Sequence, residues 1–141
     1  AEEAGAKTLV GGGVPRLGAD LDGGWWIEPT LWTGLTNVDR PLREEIFGPC
    51  AALVPFDTED EAIALANDTD YGLTASVWPT YLSRVHRGSQ RMDLEIAWVN
   101  TWFIRDLRSP FGGVGLSGIG REGGEHSLGF YTEPTNICVA L

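Results

Sequence analysis

The order of apolar and amphipathic segments between Cys50 and Asn100 constrains the fold more than any other feature of the sequence. Apolar runs of strand length occupy Cys50–Phe56, Thr74–Trp78 and Ile96–Asn100, and a segment with helical spacing separates each run from the next. Strands that alternate with helices are typical of α/β proteins with parallel strands. We therefore predict an α/β fold with a mostly parallel sheet flanked by helices.

The two helical segments differ in how clearly they begin. Thr58 and Glu61 have the spacing of a capping box, which predicts a helix that begins there and ends between Asn67 and Gly72, with a core face of Ala62, Ile63, Leu65 and Ala66. The second helix is predicted from about Tyr81 to Met92, with an apolar face of Tyr81, Leu82, Val85 and Met92 and a solvated face of Arg84, Arg87 and Arg91.

Outside this region we predict three strands, at Thr8–Gly11, Trp25–Trp32 and Asn136–Leu141, and a short helix near Arg121–Tyr131.

Composition limits the partners that the chain can have. The 141 residues include 20 acidic and 10 basic side chains, and the resulting net charge of −10 repels phosphate backbones and anionic membrane surfaces. No run reaches the roughly 18 apolar residues that a membrane span needs, and the first residues lack the pattern of a signal peptide. We expect a soluble, cytoplasmic protein with neither nucleic-acid nor membrane partners.

The two cysteines are expected to be reduced thiols. Cys50 and Cys138 lie far apart, each within an apolar stretch that reads as a buried strand. Neither has a second cysteine or a histidine at metal-ligand spacing, so we predict no metal site.

Glycine spacing twice matches the dinucleotide-binding pattern G-x-G-x-x-G, at Gly113/Gly115/Gly118 and at Gly118/Gly120/Gly123. Neither match follows a buried strand, and too little chain remains for a complete βαβ unit with its acidic ribose ligand. We therefore reject a Rossmann site. The surrounding stretch, 101–120, is polar and irregular, and long irregular loops in compact domains are usually functional.

The segment REEIFGPC, residues 43–50, places two carboxylates before an aromatic residue and a Gly-Pro turn that enters an apolar run. A carboxylate held at a strand mouth could accept hydrogen bonds from two neighbouring sugar hydroxyls. The alternative is a solvated glutamate beside a core phenylalanine, and the residue types alone leave both interpretations open.

Four segments occur together in an order and at spacings that resemble the C-terminal part of the aldehyde dehydrogenase superfamily: EEIFGPC, ALANDTDYGLTASVW, WVNTW and PFGGVGLSGIGRE. The resemblance implies that residues 1–134 belong to the catalytic domain, and that residues 135–141 form a strand used in homo-oligomer assembly. It further implies that Glu45 contacts the hydroxyls of the nicotinamide ribose and that Phe47 packs beside the nicotinamide. The expected cofactor is NAD, with NADP not excluded.

The same resemblance implies that the residues that make and break bonds lie upstream of Ala1, since family members carry the cysteine nucleophile and the water-activating glutamate there. Cys50 stands where the family usually has an aliphatic residue and is not the expected nucleophile. The chain is therefore expected to be a fragment that is inactive alone.

The stretch WVNTWFIRDLRSPFGG is similar to dehydrogenases of 2-hydroxymuconate and 2-aminomuconate semialdehydes, whose substrates carry a carboxylate far from the aldehyde. The resemblance implies a substrate loop with Arg105 as the carboxylate ligand, accompanied by Trp102 and Phe103. Arg108 is a second candidate. The alternative is that both arginines are surface charges, bridged to Asp106.

The chain departs from the family at two positions. Gly115 stands where the family commonly has lysine, and Glu95 lies near a common glycine. Two other functions stay open: a dehydrogenase of another small aldehyde, such as succinate semialdehyde, and a non-catalytic interaction module with the same fold.

Overall fold

The computed structural model describes residues 1–141, apart from the side chains of residues 82–84. The predicted roles of Leu82 and Arg84 therefore lie outside the described residues. The chain divides into an N-terminal unit, Ala1–Thr69, and a C-terminal unit, Asp70–Leu141.

The N-terminal unit is built on a three-stranded sheet in the order β1-β2-β3. Its elements are a 3₁₀ turn at Glu2–Ala4, β1 at Lys7–Val10, β2 at Thr30–Thr33, α1 at Arg40–Arg43, β3 at Cys50–Leu53 and α2 at Glu59–Asn67. Strand β2 pairs antiparallel with β1, with an irregularity between Thr8 and Val10, and parallel with β3, where Thr30 lies opposite Cys50.

Strand β2 is shorter than the predicted strand Trp25–Trp32, because it begins only at Thr30. The buried Thr30 hydroxyl donates to the Glu28 carbonyl at 2.8 Å and accepts from the Gly12 N–H at 2.9 Å. The residues before it have no strand partner within the unit, and the Trp25 side chain is fully exposed. An apolar run becomes a strand only where a neighbouring backbone can take its hydrogen bonds.

The predicted N-cap of α2 at Thr58 is confirmed, while the Glu61 side chain reaches back to Asp57, one residue before the N-cap. The Thr58 hydroxyl accepts from the Glu61 N–H at 3.1 Å, and the Glu61 carboxylate accepts from the Asp57 N–H at 2.8 Å. Ile63 is buried as predicted, whereas Ala66 is exposed.

The C-terminal unit contains four strands and two helices: β4 at Tyr71–Gly72, β5 at Thr74–Val77, α3 at Leu82–Ser89, β6 at Ile96–Val99, β7 at Val114–Gly115 and α4 at Gly124–Tyr131. Strand β5 precedes α3 and β6 follows it in the sequence, and these two strands pair in parallel. Strand β4 pairs antiparallel with β7. Within each unit, one described strand pair is parallel and one is antiparallel. The α/β content is thus confirmed, while a mostly parallel sheet is not.

The end of the chain differs from the prediction. Residues 132–141 form neither helix nor strand, and all are exposed, including Cys138, which was expected to be buried. Cys50 lies within β3 and is half-buried. The predicted strand Asn136–Leu141 has no pairing partner among the described residues, so its backbone hydrogen bonds remain open.

Few apolar side chains are buried within the described residues: Leu35 and Ile63 in the N-terminal unit, and Val85 and Trp98 in the C-terminal unit. No helix in the described part of the chain has the length and apolar character to cross a membrane.

Candidate functional site

The segment that carries Glu45 and Phe47 is anchored to the end of α2. The Arg43 guanidinium donates to the Asp68 carbonyl and carboxylate, both at 2.9 Å, and the Asn37 amide donates to the Leu65 carbonyl at 2.9 Å. These contacts fix α1 and the residue before Glu44, so the REEIFGPC segment starts from a defined position.

The two neighbouring glutamates have different environments. Glu44 accepts from Arg40 Nε with both carboxylate oxygens at 2.8 Å, and these hydrogen bonds lower the pKa of Glu44. Glu45 makes no hydrogen bond or ion pair with the described residues and is exposed. The carboxylate of Glu45 is therefore available to a ligand, while that of Glu44 is engaged.

Phe47 has the left-handed backbone conformation, with φ at 56°, and its side chain is 92% exposed. This conformation costs a bulky residue on the order of 1–3 kcal/mol and is concentrated at functional sites. Glu45, Phe47 and Cys50 line a cavity of about 450 Å³. A carboxylate and an aromatic ring thus share one recess within the N-terminal unit.

In the C-terminal unit, the loop after β6 begins with two more left-handed residues, Asn100 with φ at 48° and Phe103 with φ at 60°. The buried Trp98 holds this loop, since its indole N–H donates to the Ile104 carbonyl at 2.7 Å. The rings of Trp102 and Phe103 lie 5.3 and 6.0 Å from that of Trp98, and both side chains are about two-thirds exposed.

Arg105 follows this aromatic cluster and is held on two sides. Its Nη2 donates to Glu122 Oε1 in an ion pair, and its guanidinium carbon lies 4.2 Å from the centre of the Phe111 ring. No other hydrogen bond involves the guanidinium among the described residues, and the side chain is 32% exposed. Arg105 therefore keeps unpaired N–H groups while its position is fixed.

The two partners of Arg105 are themselves tied together. Phe111 and Glu122 form an antiparallel bridge in which each backbone N–H donates to the other's carbonyl at 2.8 Å. The next residue, Gly123, has φ at 91°, and a Cβ there would collide with the Ser109 carbonyl. Glycine is required at this crossing because the two backbones approach too closely for a side chain.

A second ion pair holds the glycine-rich turn closed. Arg121 Nε lies 3.0 Å from Glu95 Oε2, and Arg121 Nη1 donates to the Gly113 and Gly120 carbonyls at 2.8 and 2.9 Å. Both charged side chains are largely covered, at 25% and 18% exposure. Glu95, which departs from the family pattern, thus supplies the partner of Arg121.

The other departure, Gly115, also has a local explanation. Its φ is 59°, and a Cβ at this position would collide with the Asp70 carbonyl, across the β4–β7 pair. A lysine would not fit this backbone without a shift of the strand pair.

Arg108 is engaged by Asp106, whose carboxylate accepts from the Arg108 side chain and backbone N–H. These hydrogen bonds lower the pKa of Asp106, with the side-chain contact the larger cause, and the side-chain contact raises the pKa of Arg108. No group of three or more His, Cys, Asp or Glu side chains in the described residues has the arrangement of a metal site.

The structure thus brings Glu45 and Phe47 to one cavity, and Trp102, Phe103 and Arg105 to one loop. Sequence reasoning missed Phe111 and Glu122 as partners of Arg105. Glu122 lies 17 residues from Arg105, and no local period connects positions so far apart.

Comparison with known proteins identifies the family of the chain. The model of the aldehyde dehydrogenase family matches residues 1–137. The chain is 60% identical to a 2-aminomuconic 6-semialdehyde dehydrogenase of Pseudomonas sp. and 55% identical to a 2-hydroxymuconic semialdehyde dehydrogenase of Pseudomonas sp. (strain CF600). Each alignment covers all of this chain and 29% of the relative, so the chain spans less than a third of their length.

Solved structures give the same result. An indole-3-acetaldehyde dehydrogenase of P. syringae in complex with NAD+ matches 94% of this chain with a TM-score of 0.85 at 40% identity. A betaine aldehyde dehydrogenase from Staphylococcus aureus in complex with NAD+ matches 93% with a TM-score of 0.87 at 38% identity. Each match covers 26% of the solved chain. Because the family model matches nearly the whole chain and the folds agree, this chain belongs to the aldehyde dehydrogenase family.

Proposed function

We propose that this chain forms part of the cofactor and substrate sites of an NAD-dependent dehydrogenase that oxidises a carboxylated semialdehyde of the 2-hydroxymuconic or 2-aminomuconic type. The observation that carries the proposal is Arg105. Its guanidinium is fixed by Phe111 and Glu122, is one-third exposed and has unpaired N–H groups. A fixed guanidinium with free donors suits bidentate binding of a carboxylate.

Substrate binding then depends on the loop after β6. Arg105 binds the carboxylate distant from the aldehyde, and the exposed rings of Trp102 and Phe103 cover the apolar carbon chain between the two ends. The names of the two Pseudomonas relatives, which are semialdehyde dehydrogenases, support a substrate with this charge pattern.

Glu45 and Phe47 fit a nicotinamide nucleotide. An unpaired carboxylate can accept two hydrogen bonds from neighbouring ribose hydroxyls, and the exposed Phe47 ring offers a flat apolar surface to the nicotinamide. When bound, the nucleotide accepts the hydride released by aldehyde oxidation. NAD and NADP share this half of the molecule, and NAD is the cofactor we propose because both solved relatives described above bind it.

The bond-making residues are proposed to come from polypeptide outside these 141 residues, in keeping with the 29% of the relatives that the chain spans. Residues 1–134 contribute to the catalytic domain. Residues 135–141 pair as a strand with another segment or subunit. Every second side chain there, at Ile137, Val139 and Leu141, is a large exposed apolar one. A homo-oligomer and a cytoplasmic location stay predictions.

The test uses the intact dehydrogenase, meaning this chain joined to its own upstream residues or to the corresponding part of the 60%-identical Pseudomonas relative. With Arg105→Ala, we expect kcat/KM for 2-hydroxymuconic semialdehyde to fall about a hundredfold, and that for hexanal, a neutral aldehyde, to change less than about threefold. Arg108→Ala is the matched control, because Arg108 already pairs with Asp106.

Equal decreases in kcat/KM for both aldehydes would contradict the role of Arg105 as a carboxylate ligand. A preference of the intact enzyme for succinate semialdehyde over 2-hydroxymuconic semialdehyde would favour the alternative small-aldehyde dehydrogenase. An intact protein that folds and oxidises no aldehyde would favour the interaction module.

A further inference from the structure

We propose that Phe111 and Glu122 are positioning residues that hold the Arg105 guanidinium ready for a substrate carboxylate. The proposal rests on the proposed function and extends it, because it assigns roles to two residues that sequence reasoning did not select. The site consists of the Arg105 side chain, the ring beneath it and the carboxylate beside it.

The first argument is geometric. The Phe111 ring restricts one face of the guanidinium, at 4.2 Å from Cζ, and Glu122 holds one end through Nη2. Together they restrict both the plane and the rotation of the group. A free arginine side chain loses several rotatable bonds when it binds a ligand, so an arginine restrained in advance binds with a smaller entropic loss.

The second argument is the shared backbone. Phe111 and Glu122 are neighbours in the antiparallel bridge, so the backbones of both supports of Arg105 are hydrogen-bonded to each other. Arg121, the residue beside Glu122, fastens this element to Glu95 and to the Gly113 carbonyl. These contacts connect the two supports of Arg105 to each other and to the glycine-rich turn.

The third argument concerns charge. Glu122 contacts Arg105 through a single nitrogen and is itself 62% exposed, so solvent weakens its attraction for the cation. A substrate carboxylate can then bind the remaining N–H groups without displacing Glu122. Glu122 acts as a support for Arg105 and not as a competitor for the site.

The experiment measures KM and kcat of the intact dehydrogenase with 2-hydroxymuconic semialdehyde and with hexanal. For Phe111→Leu and Glu122→Ala we expect KM for the carboxylated aldehyde to rise about fivefold to tenfold, while KM for hexanal and both kcat values change less than about twofold. Glu122→Gln should restore a KM near that of the parent, because its amide oxygen still accepts from Arg105.

A double-mutant cycle tests whether Glu122 acts through Arg105. In an Arg105→Ala background, Glu122→Ala should have no further effect on the KM of the carboxylated aldehyde. Glu125→Ala is the matched control: it removes the same charge from a nearby exposed position, on the first turn of α4, and should leave KM unchanged.

Three results would overturn the proposal. Equal losses for both aldehydes would mean that Phe111 and Glu122 act only on the fold, and a lower KM in Glu122→Ala would mean that Glu122 competes with the substrate. An unaltered KM in Phe111→Leu would also count against it, and this variant carries the test if Glu122→Ala does not fold. If Arg105→Ala impairs only the reaction of the carboxylated aldehyde, while Phe111→Leu and Glu122→Ala do not impair it, the positioning role is wrong and the proposed function stands. If Arg105→Ala impairs the reactions of both aldehydes equally, the proposed function is wrong.

Discussion

The candidate cofactor residues of the N-terminal unit and the candidate substrate residues of the C-terminal unit differ in how they are supported. Glu45 has no partner among the described residues and Phe47 is 92% exposed, whereas Arg105 is held by an ion pair and by an aromatic ring. A group restrained before binding loses less conformational entropy when its ligand arrives. The candidate substrate residue is thus restrained before any ligand binds, whereas the candidate cofactor residues have no such restraint within the described part of the chain.

The largest effect on stability is expected at Gly123, beside Glu122, and the residue to compare it with is Gly48, beside Phe47. Gly123→Ala should lower the free energy of unfolding of the intact dehydrogenase by more than about 2 kcal/mol, because φ is 91° and a Cβ would collide with the Ser109 carbonyl. Gly48→Ala, next to Phe47, should be nearly neutral, since a Cβ there meets only the Ile46 side chain at 3.8 Å. Urea unfolding of both variants checks the comparison, and similar losses would contradict it.

The next effect separates Glu45, the proposed cofactor ligand, from its neighbour Glu44. Glu45→Gln should raise KM for NAD about tenfold, because a neutral amide accepts weaker hydrogen bonds than a carboxylate. Glu44→Gln is the paired control and should change KM for NAD less than about twofold, since Glu44 is engaged by Arg40 in an exposed ion pair. Initial-rate kinetics at varied NAD give the result. A larger effect from Glu44 would reverse the assignment.

A smaller effect tests how the two left-handed phenylalanines are supported. Asparagine tolerates this conformation better than phenylalanine does, so Phe47→Asn should stabilise the cofactor-free enzyme by up to about 1 kcal/mol. Phe103→Asn should destabilise it by about 1 kcal/mol, because it also removes ring contacts with Trp98 and Trp102. The thermal midpoints without NAD should move in opposite directions. Shifts of the same sign would mean that Phe47 is supported as well.

The smallest effect is a response to acid that both units should share. Hydrogen bonds from the Thr36 N–H and hydroxyl lower the pKa of Asp39 below its ordinary 3.8, and those from Arg108 do the same for Asp106. A lowered folded-state pKa contributes stability that is present above the unfolded pKa, so this stability is lost as pH falls from about 4 through the folded value. Asp39→Asn and Asp106→Asn should each flatten the dependence of unfolding free energy on pH in that range. An unchanged slope in either variant would remove that carboxylate from the acid response.

The predictions from sequence succeeded where the interaction is local. The Thr58–Glu61 cap forms, since its partners are three residues apart, and the runs at Thr74–Trp78 and Ile96–Asn100 contain β5 and β6. Helix α3 ends at Ser89, before the predicted Met92. Beyond Ser89 the chain continues as a turn, in which the Arg91 N–H donates to the Gly88 carbonyl and the Met92 N–H donates to the Ser89 carbonyl. The spacing of apolar residues does not distinguish such a turn from a continued helix.

They failed where a strand needs a distant partner. The predicted strand Trp25–Trp32 forms only from Thr30, where β2 meets neighbouring backbones on both sides. The strand Asn136–Leu141 stays a prediction, because it is expected to pair with another segment or subunit. The short strands β4 and β7 were not predicted. Each has only two residues, which is too short for a periodic pattern, and they pair only because the folded chain brings Tyr71–Gly72 beside Val114–Gly115.

The sequence by itself determined the family, the α/β content and the capped helix, and it selected Glu45, Phe47 and Arg105 as candidate site residues. Each of these depends on neighbouring residues or on motifs in a fixed order. Only the tertiary structure decided that Glu45 is free while Glu44 is paired, that Phe47 is left-handed, and that Phe111 and Glu122 support Arg105. Those outcomes depend on which groups the folded backbone brings within hydrogen-bonding distance, and that distance is set by the path of the chain.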